Sequence, residues 1–375
     1  MLMRVFPIKK NKVTFSAFEG DGGFACNPRY IAEELHKKNP ETEIVWLTRK
    51  DATHFPDYIK VKEYSDWNIA YHLSTSKVWV DNYRKPFGTI KRKGQFYLQT
   101  WHASIGFKAV GLFRGDKFPE IARIVSEADS SLADYFISNS EYCNKVYPKK
   151  LLYSGPTLMT GSPRVDCLVN KDEEKIEKVR EKLGVKKEEK LLMFAPTFRG
   201  GNQKEKKQVV SDIPSVDFDR LIKGLEKQFG GEWKILLRLH PQLSAKLDKM
   251  PLNVEDKRLI DVSQAPDISE VLMCCDMLIT DYSSCAFDAA FAKIPVLLYA
   301  DDVQEYIENR GQFMWEKENL PFAIAENNDE LEENIKAFDK DVYEKRIAAF
   351  MEKHGVIEDG HASERAVDKI LEVLK

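Results

Sequence analysis

Two histidines, each at a turn that closes an apolar run, are the residues of this chain best suited to move protons. His102 follows Phe96–Trp101 and leads into Ala103-Ser104-Ile105-Gly106-Phe107-Lys108; His240 follows Ile235–Leu239 and precedes Pro241. Imidazole changes charge between about pH 5 and 8, so a histidine at a strand's carboxyl end can serve as general base near neutrality. Pro241 fixes its turn and points His240 out of the strand. The plainer alternative is a packed or strand-capping histidine, which a lone His more often is.

Around them stand groups that fit phosphate. Pro196-Thr197-Phe198-Arg199-Gly200-Gly201 follows the apolar run Leu191–Ala195, and Arg238 precedes His240. Arg199 offers a planar fork, and the glycines allow close approach. A surface arginine in a loop is its alternative. Lys108 could pair with phosphate or merely be solvated. In Leu278-Ile279-Thr280-Asp281-Tyr282-Ser283-Ser284, a buried strand reaches a polar turn, and Cys285-Ala286-Phe287-Asp288-Ala289-Ala290 continues as a short apolar helix. Unpaired N–H groups and hydroxyls at such a start favour anions, although Ser and Asp also cap helices for stability alone. The glycine-rich turn Phe18–Gly23 lacks the spacing of a dinucleotide fingerprint.

These residues follow short β-branched and aromatic runs that alternate with amphipathic stretches. Strands are expected at Val13–Phe18, Ile44–Leu47, Val78–Val80, Phe96–Trp101, Tyr135–Ser138, Leu191–Ala195, Ile235–Leu239, Leu259–Val262, Met277–Thr280 and Val296–Tyr299. Helical patterns include Pro28–Lys38, Asp172–Leu183, Phe218–Phe229 and Ile268–Cys275. Such alternation implies parallel sheets covered by helices, an α/β class. The turn-rich stretch Gly155–Arg164 marks a boundary between domains spanning 1–166 and 167–375, with the closing helix Ser363–Leu374 able to pack on either. Two doubly wound domains facing one another would present a cleft at their strands' carboxyl ends, where such folds bind ligands. The loop Gly200–Ser215, with Lys204, Lys206 and Lys207, reads as a solvated excursion or a lid.

The composition excludes several classes. The chain has 375 residues, 43% hydrophobic and 31% charged, and its formal net charge of −3 argues against a dedicated nucleic-acid binder. Its six cysteines show no metal-ligand spacing and read as reduced core residues. No apolar run approaches the roughly 20 residues of a membrane span, and no signal peptide is expected, so the expected location is cytoplasmic. Phe107, Leu112, Phe113, Arg114 and Lys117 form an apolar-basic segment that could touch a membrane or equally be a buried loop with solvated charges.

Taken in order, the motifs resemble the CDP-glycerol glycerophosphotransferase family of teichoic acid and capsule enzymes. The matching pieces are Gly23–Tyr30, Thr100-Trp101-His102, Ile137–Ser140, Gly161–Asp166, Phe194–Arg199, Leu237–Pro241, Ile279–Ser284 with Asp288, Tyr299–Asp302 with Tyr306, and Asp359–Ser363. The resemblance implies a GT-B type fold of two Rossmann-like domains, with acceptor on the first and a CDP-alditol mainly on the second. It implies His102 as general base and His240 as a second catalytic group. It also implies a donor site of Thr197, Arg199, Arg238, His240, Asp281, Ser283 and Ser284, and an acceptor site of Asn27, Arg29, Trp101, Ser104 and Lys108. The implied partners are CDP-glycerol or CDP-ribitol and a lipid-linked or polymeric acceptor reached at the inner face of the membrane. No cofactor is implied, and without an Asp-rich cluster the chemistry is expected to need no metal. This chain departs from the family after Trp101-His102, where Ala103 replaces a common glycine and Ser104-Ile105-Gly106-Phe107-Lys108 replaces a Thr-Pro-Leu-Lys pattern; that stretch is expected to face the acceptor. A nucleotide-sugar glycosyltransferase of the same fold and a non-catalytic binding scaffold are the rival readings, the second disfavoured by the presence of both histidines.

Overall fold

A computed structural model describes residues 2–197, 215–239, 256–310 and 313–375. The chain forms two compact units: Met1–Ser104 with Val110–Val169 and His354–Lys375, and Ile105–Ala109 with Asn170–Lys353. Five residues of the first half's chain therefore belong to the second unit, and the last 22 residues return to the first.

The first unit is built on seven parallel strands: β1 (Lys9–Ser16), β2 (Glu43–Thr48), β3 (Ile59–Glu63), β4 (Ser76–Asp81), β5 (Phe96–Gln99), β6 (Tyr135–Ser138) and β7 (Thr157–Met159). Their order is β3-β2-β1-β4-β5-β6-β7. Chain order reverses between β1 and β4, where Ser16 pairs with Asp81. Strands covered on both faces must be apolar throughout, and Ile44–Leu47 and Val78–Val80 are such runs, buried at every residue. The helix Cys26–Lys38 turns Ile31 and Leu35, four apart, toward the sheet, and Ala366, Val367 and Ile370 of the closing helix Ala362–Leu374 pack in the same core. Burial of a side chain such as Val367 or Ile370 is worth roughly 1.5–3 kcal/mol, enough to hold a terminal helix in place. The start of that helix is fixed as well: the Asp166 carboxylate accepts the N–H groups of Ala362 and Ser363 at 2.9 and 2.7 Å.

The second unit repeats the plan with six parallel strands: β8 (Lys190–Ala195), β9 (Trp233–Leu237), β10 (Leu259–Asp261), β11 (Met277–Thr280), β12 (Val296–Tyr299) and β13 (Ala323–Ala325). Their order is β10-β9-β8-β11-β12-β13, with the reversal between β8 and β11. Leu192, Phe194, Ile235, Leu237, Met277 and Ile279 alternate along their strands and share one core with Leu221, Ile222 and Leu225 of the helix Phe218–Phe229. All six cysteines are free thiols, and five are buried. No helix among the described residues is long and apolar enough to cross a membrane.

Candidate active site

The carboxyl end of β4 positions His102. Asp81 closes that strand and accepts hydrogen bonds from Ser16 Oγ and Lys85 Nζ, and from the Asn82 and Tyr83 N–H groups at 2.8 and 3.1 Å. The carboxylate thus folds the next residues into a fixed turn, with its charge matched by a buried lysine. Asn82, at the end of that turn, presents its backbone carbonyl 2.8 Å from His102 Nδ1. A carbonyl can only accept, so Nδ1 carries the proton and Nε2 keeps the lone pair. Phe18, Tyr83 and Trp101 wall the ring at centroid distances of 5.2, 5.7 and 4.4 Å. This burial pushes the His102 pKa down to about 4; the bond to Asn82 opposes the shift, and the nearby charges of Arg164, Lys150 and Arg84 add to it. At neutral pH the ring is uncharged, in a single tautomer.

The loop that carries His102 is held by residues far away in sequence. β5 stops at Gln99, two residues short of the expected strand, because Trp101 adopts a left-handed φ of 51°. That conformation costs a non-glycine residue about 1–2 kcal/mol. Hydrogen bonds offset it: Trp101 N donates to Gln99 Oε1 at 2.8 Å, and Asn27 Nδ2 donates to the Trp101 carbonyl at 3.0 Å. Asn27 Oδ1 in turn accepts from the Arg164 N–H at 3.1 Å, while the Arg164 guanidinium donates to the His102 carbonyl. The buried Lys150 Nζ donates to the carbonyls of Ala103, at 2.9 Å, and Ser104. Gln99, Asn82, Lys150 and Phe18 were not singled out from the sequence, and no local pattern ties a helix-end lysine or a strand glutamine to a loop elsewhere. Arg164 was visible only inside the boundary stretch and the Gly161–Asp166 motif, with no role attached to it.

The residues expected to bind acceptor fall in both units. Asn27 is 2% exposed and fully occupied with the His102 loop, which makes it a positioning residue. Trp101 and Ser104 are buried in the same loop, Ser104 Oγ lying 3.2 Å from Ser162 Oγ. Arg29 pairs with Glu33 at 2.9 Å on its own helix. Lys108 lies in the second unit, its Nζ 5.9 Å from the Tyr306 ring centroid. The glycine-rich turn places Phe18 against His102, with Phe18 N donating to Asn82 Oδ1 at 2.8 Å.

In the second unit, Asp281 follows β11 at the point where chain order reverses. Its carboxylate, 1% exposed, accepts the Thr197 N–H at 2.9 Å from both oxygens and the N–H of Tyr282. It therefore ties the loop that leaves β8 to the turn that leaves β11. Tyr282 is fixed by its hydroxyl, which donates to Asp302 at 2.9 Å, and by the Tyr306 ring at 4.1 Å. Ser283 and Ser284 are half-buried. Ser284 occupies the N-cap of the helix Cys285–Phe291, yet its side chain makes no capping bond, and Ser283 Oγ reaches Cys285 N only at 3.5 Å. Stability of the helix end is thus a poor account of this serine pair. Arg238 is partly spent: its Nη1 donates to the Val262 and Ser263 carbonyls, both at 2.7 Å. Arg199, His240 and the lysines of the Gly200–Ser215 loop lie outside the described residues. A cavity of about 510 Å³ opens at the amino ends of these strands, beside Lys190, Trp233, Met277 and Lys293, on the edge of the sheet opposite to Asp281. Among the described residues no group of three or more His, Cys, Asp or Glu could hold a metal ion.

Two parallel-sheet α/β units of this strand order, each with a polar cluster at its point of reversal, are a GT-B type fold, and the wall teichoic acid polymerase TagF superimposes with a TM-score of 0.84 at 27% identity, over 100% of this chain and 92% of that one. The chain belongs to the CDP-glycerol:poly(glycerophosphate) glycerophosphotransferase family, whose model matches residues 1–372. Its relatives include a teichoic acid poly(glycerol phosphate) polymerase of Staphylococcus epidermidis, 31% identical over 98% of this chain and 51% of the relative. A teichoic acid poly(ribitol-phosphate) polymerase of Bacillus spizizenii is 30% identical over 99% of this chain and 58% of the relative. The chain thus spans little more than half the length of these curated relatives.

Proposed function

We propose that the chain transfers an alditol phosphate from CDP-glycerol or CDP-ribitol to a hydroxyl of a lipid-linked or polymeric cell-wall acceptor. The observation that carries this reading is His102, held neutral with its Nε2 lone pair available at the carboxyl end of the first sheet. In the proposed step, His102 Nε2 takes the acceptor's hydroxyl proton. The freed oxygen bonds to the β-phosphorus, the bond from that phosphorus to the bridging oxygen breaks, and CMP leaves with that oxygen. Such a displacement depends chiefly on positioning and on stabilising charge as it spreads over the phosphoryl oxygens. Ser283 and Ser284 supply hydroxyl donors for the diphosphate, and Asp281 orders both loops that present the site. Arg199 and His240 complete the donor set that the family motifs imply. A base with a pKa near 4 is fully unprotonated but weak; an anionic donor nearby would raise it toward the range where proton transfer is effective.

The acceptor's lipid would bring the chain to the inner face of the membrane. In support, Leu112, Phe113, Ile121 and Ile124 are exposed by 36–69% on adjoining segments that also carry Arg114, Lys117 and Arg123. Flotation with anionic and neutral vesicles tests this part, and equal recovery without lipid sinks it. For the reaction, the purified chain is incubated with CDP-glycerol, CDP-ribitol or UDP-sugars and a lipid-linked acceptor. Release of CMP from a CDP-alditol is expected; release of UDP alone would make it a glycosyltransferase, and release of neither a binding scaffold.

A further inference from the structure

The stretch after His102 was expected to face the acceptor. Part of it is anchored beside the serine turn. Ile105–Ala109 belongs to the second unit, where the Gly106 carbonyl accepts from Trp315 Nε1 at 3.0 Å and the Phe107 carbonyl from Met314 N at 2.8 Å. Lys108 forms an antiparallel bridge with Phe313. Phe107, 3% exposed, packs its ring 4.9 Å from that of Phe287, which lies on the same short helix that Ser284 begins. The strap is therefore anchored to the element that presents the serines.

Gly106 stands at the point of closest approach. A Cβ built on it would lie 3.5 Å from Ser284 Cβ and, among the described residues, within 4 Å of nothing else, and its φ is outside the left-handed region. Conformation therefore does not demand glycine here, and what the missing side chain leaves is space beside Ser284. We propose that Gly106 is a specificity-determining residue on the donor side, keeping the Ser284 hydroxyl open to the phosphate of a CDP-alditol. This inference rests on the transfer reaction proposed above. It makes the strap part of the donor site, reached by the chain only four residues after the base.

The test is a double-mutant cycle read by calorimetry and steady-state kinetics. Gly106→Ala places a methyl at ordinary contact distance from Ser284, and Gly106→Leu fills the space. The leucine variant is expected to weaken CDP-glycerol binding by about tenfold, the size of one lost phosphate hydrogen bond, and the alanine variant by less. Donor KM should follow and acceptor KM should not. In a Ser284→Gly background, Gly106→Ala should have no further effect on donor affinity, because the group it acts through is gone. Circular dichroism and melting temperature confirm that each variant folds. Additive effects, a shift confined to acceptor KM, or unchanged donor affinity in both single variants would overturn the inference while leaving the reaction standing. Failure of the unsubstituted chain to bind CMP or either CDP-alditol overturns the reaction and this inference with it.

Discussion

Both sheets place an aspartate at the carboxyl end of the strand beside their point of reversal, and the two aspartates are used differently. Asp81 lies against Lys85 and Ser16, so its charge is matched and its role is to shape the turn through Asn82. Asp281 takes backbone N–H groups from Thr197 and Tyr282, joining two loops. The first arrangement fixes one ring in one tautomer. The second joins the start of one loop to the next turn, and the Ser284 side chain makes no capping bond. The same position in a doubly wound sheet can thus shape a single turn beside a paired lysine or tie together two loops.

The sharpest way to break this division is to remove the base. His102→Ala is expected to lower the transfer rate by about 10²–10⁴ while CDP-alditol affinity measured by calorimetry stays within twofold. Loss of donor binding together with rate would show that the two clusters are not separate in function. A smaller effect is expected from the other side. Ser283→Ala with Ser284→Ala should weaken both CMP and CDP-glycerol by roughly 1.5–3 kcal/mol, since these are hydrogen bonds to a charged group. Unchanged CMP affinity would remove the pair from the donor site. Asn27→Ala tests positioning: the Trp101 loop loses a buried partner, so kcat should fall by about tenfold, with donor affinity unmoved and melting temperature lowered.

Much of this was legible in the sequence, and the misses share causes. Strands inside a sheet show themselves as apolar runs, and nine of the ten expected strands, including Met277–Thr280 and Val296–Tyr299, are interior ones, while the tenth, β10, lies at an edge. The strands not read are β3, β7 and β13, all at sheet edges. An edge strand is paired on one side only, so Ile59-Lys60-Val61-Lys62-Glu63 can alternate charge with burial, and three residues of Thr157–Met159 suffice inside a turn-rich stretch. At the site, His102 and the serine turn were visible as residue types at strand ends. What fixes them was not: the left-handed Trp101 and the bonds from Asn82, Arg164 and Lys150 are long-range consequences of the fold. The strap from Ile105 to Ala109 was hidden for a further reason, since nothing in a five-residue segment says which of two units it will join.

The smallest expected effect concerns pH, and it separates the causes of the lowered histidine pKa. The free site holds His102 at about 4, well below the ordinary imidazole value. The base is active when unprotonated, so kcat/KM, which reports the free enzyme, should stay level down to about pH 5 and fall as pH drops through about 4. The profile of kcat reports the bound complex, where an anionic donor favours the imidazolium, so its acid limb should lie at higher pH. Burial is the first cause of the shift, and the positive charges of Arg164 and Lys150 come after it. Lys150→Met removes one charge and keeps the ring walled by Phe18, Tyr83 and Trp101. The kcat/KM limb of that variant should move upward only part of the way toward the ordinary histidine value. A full return would mean that charge, not desolvation, holds the base neutral. A limb that does not move at all would mean that Lys150 acts on His102 only through the Ala103 and Ser104 carbonyls, as a brace for the loop.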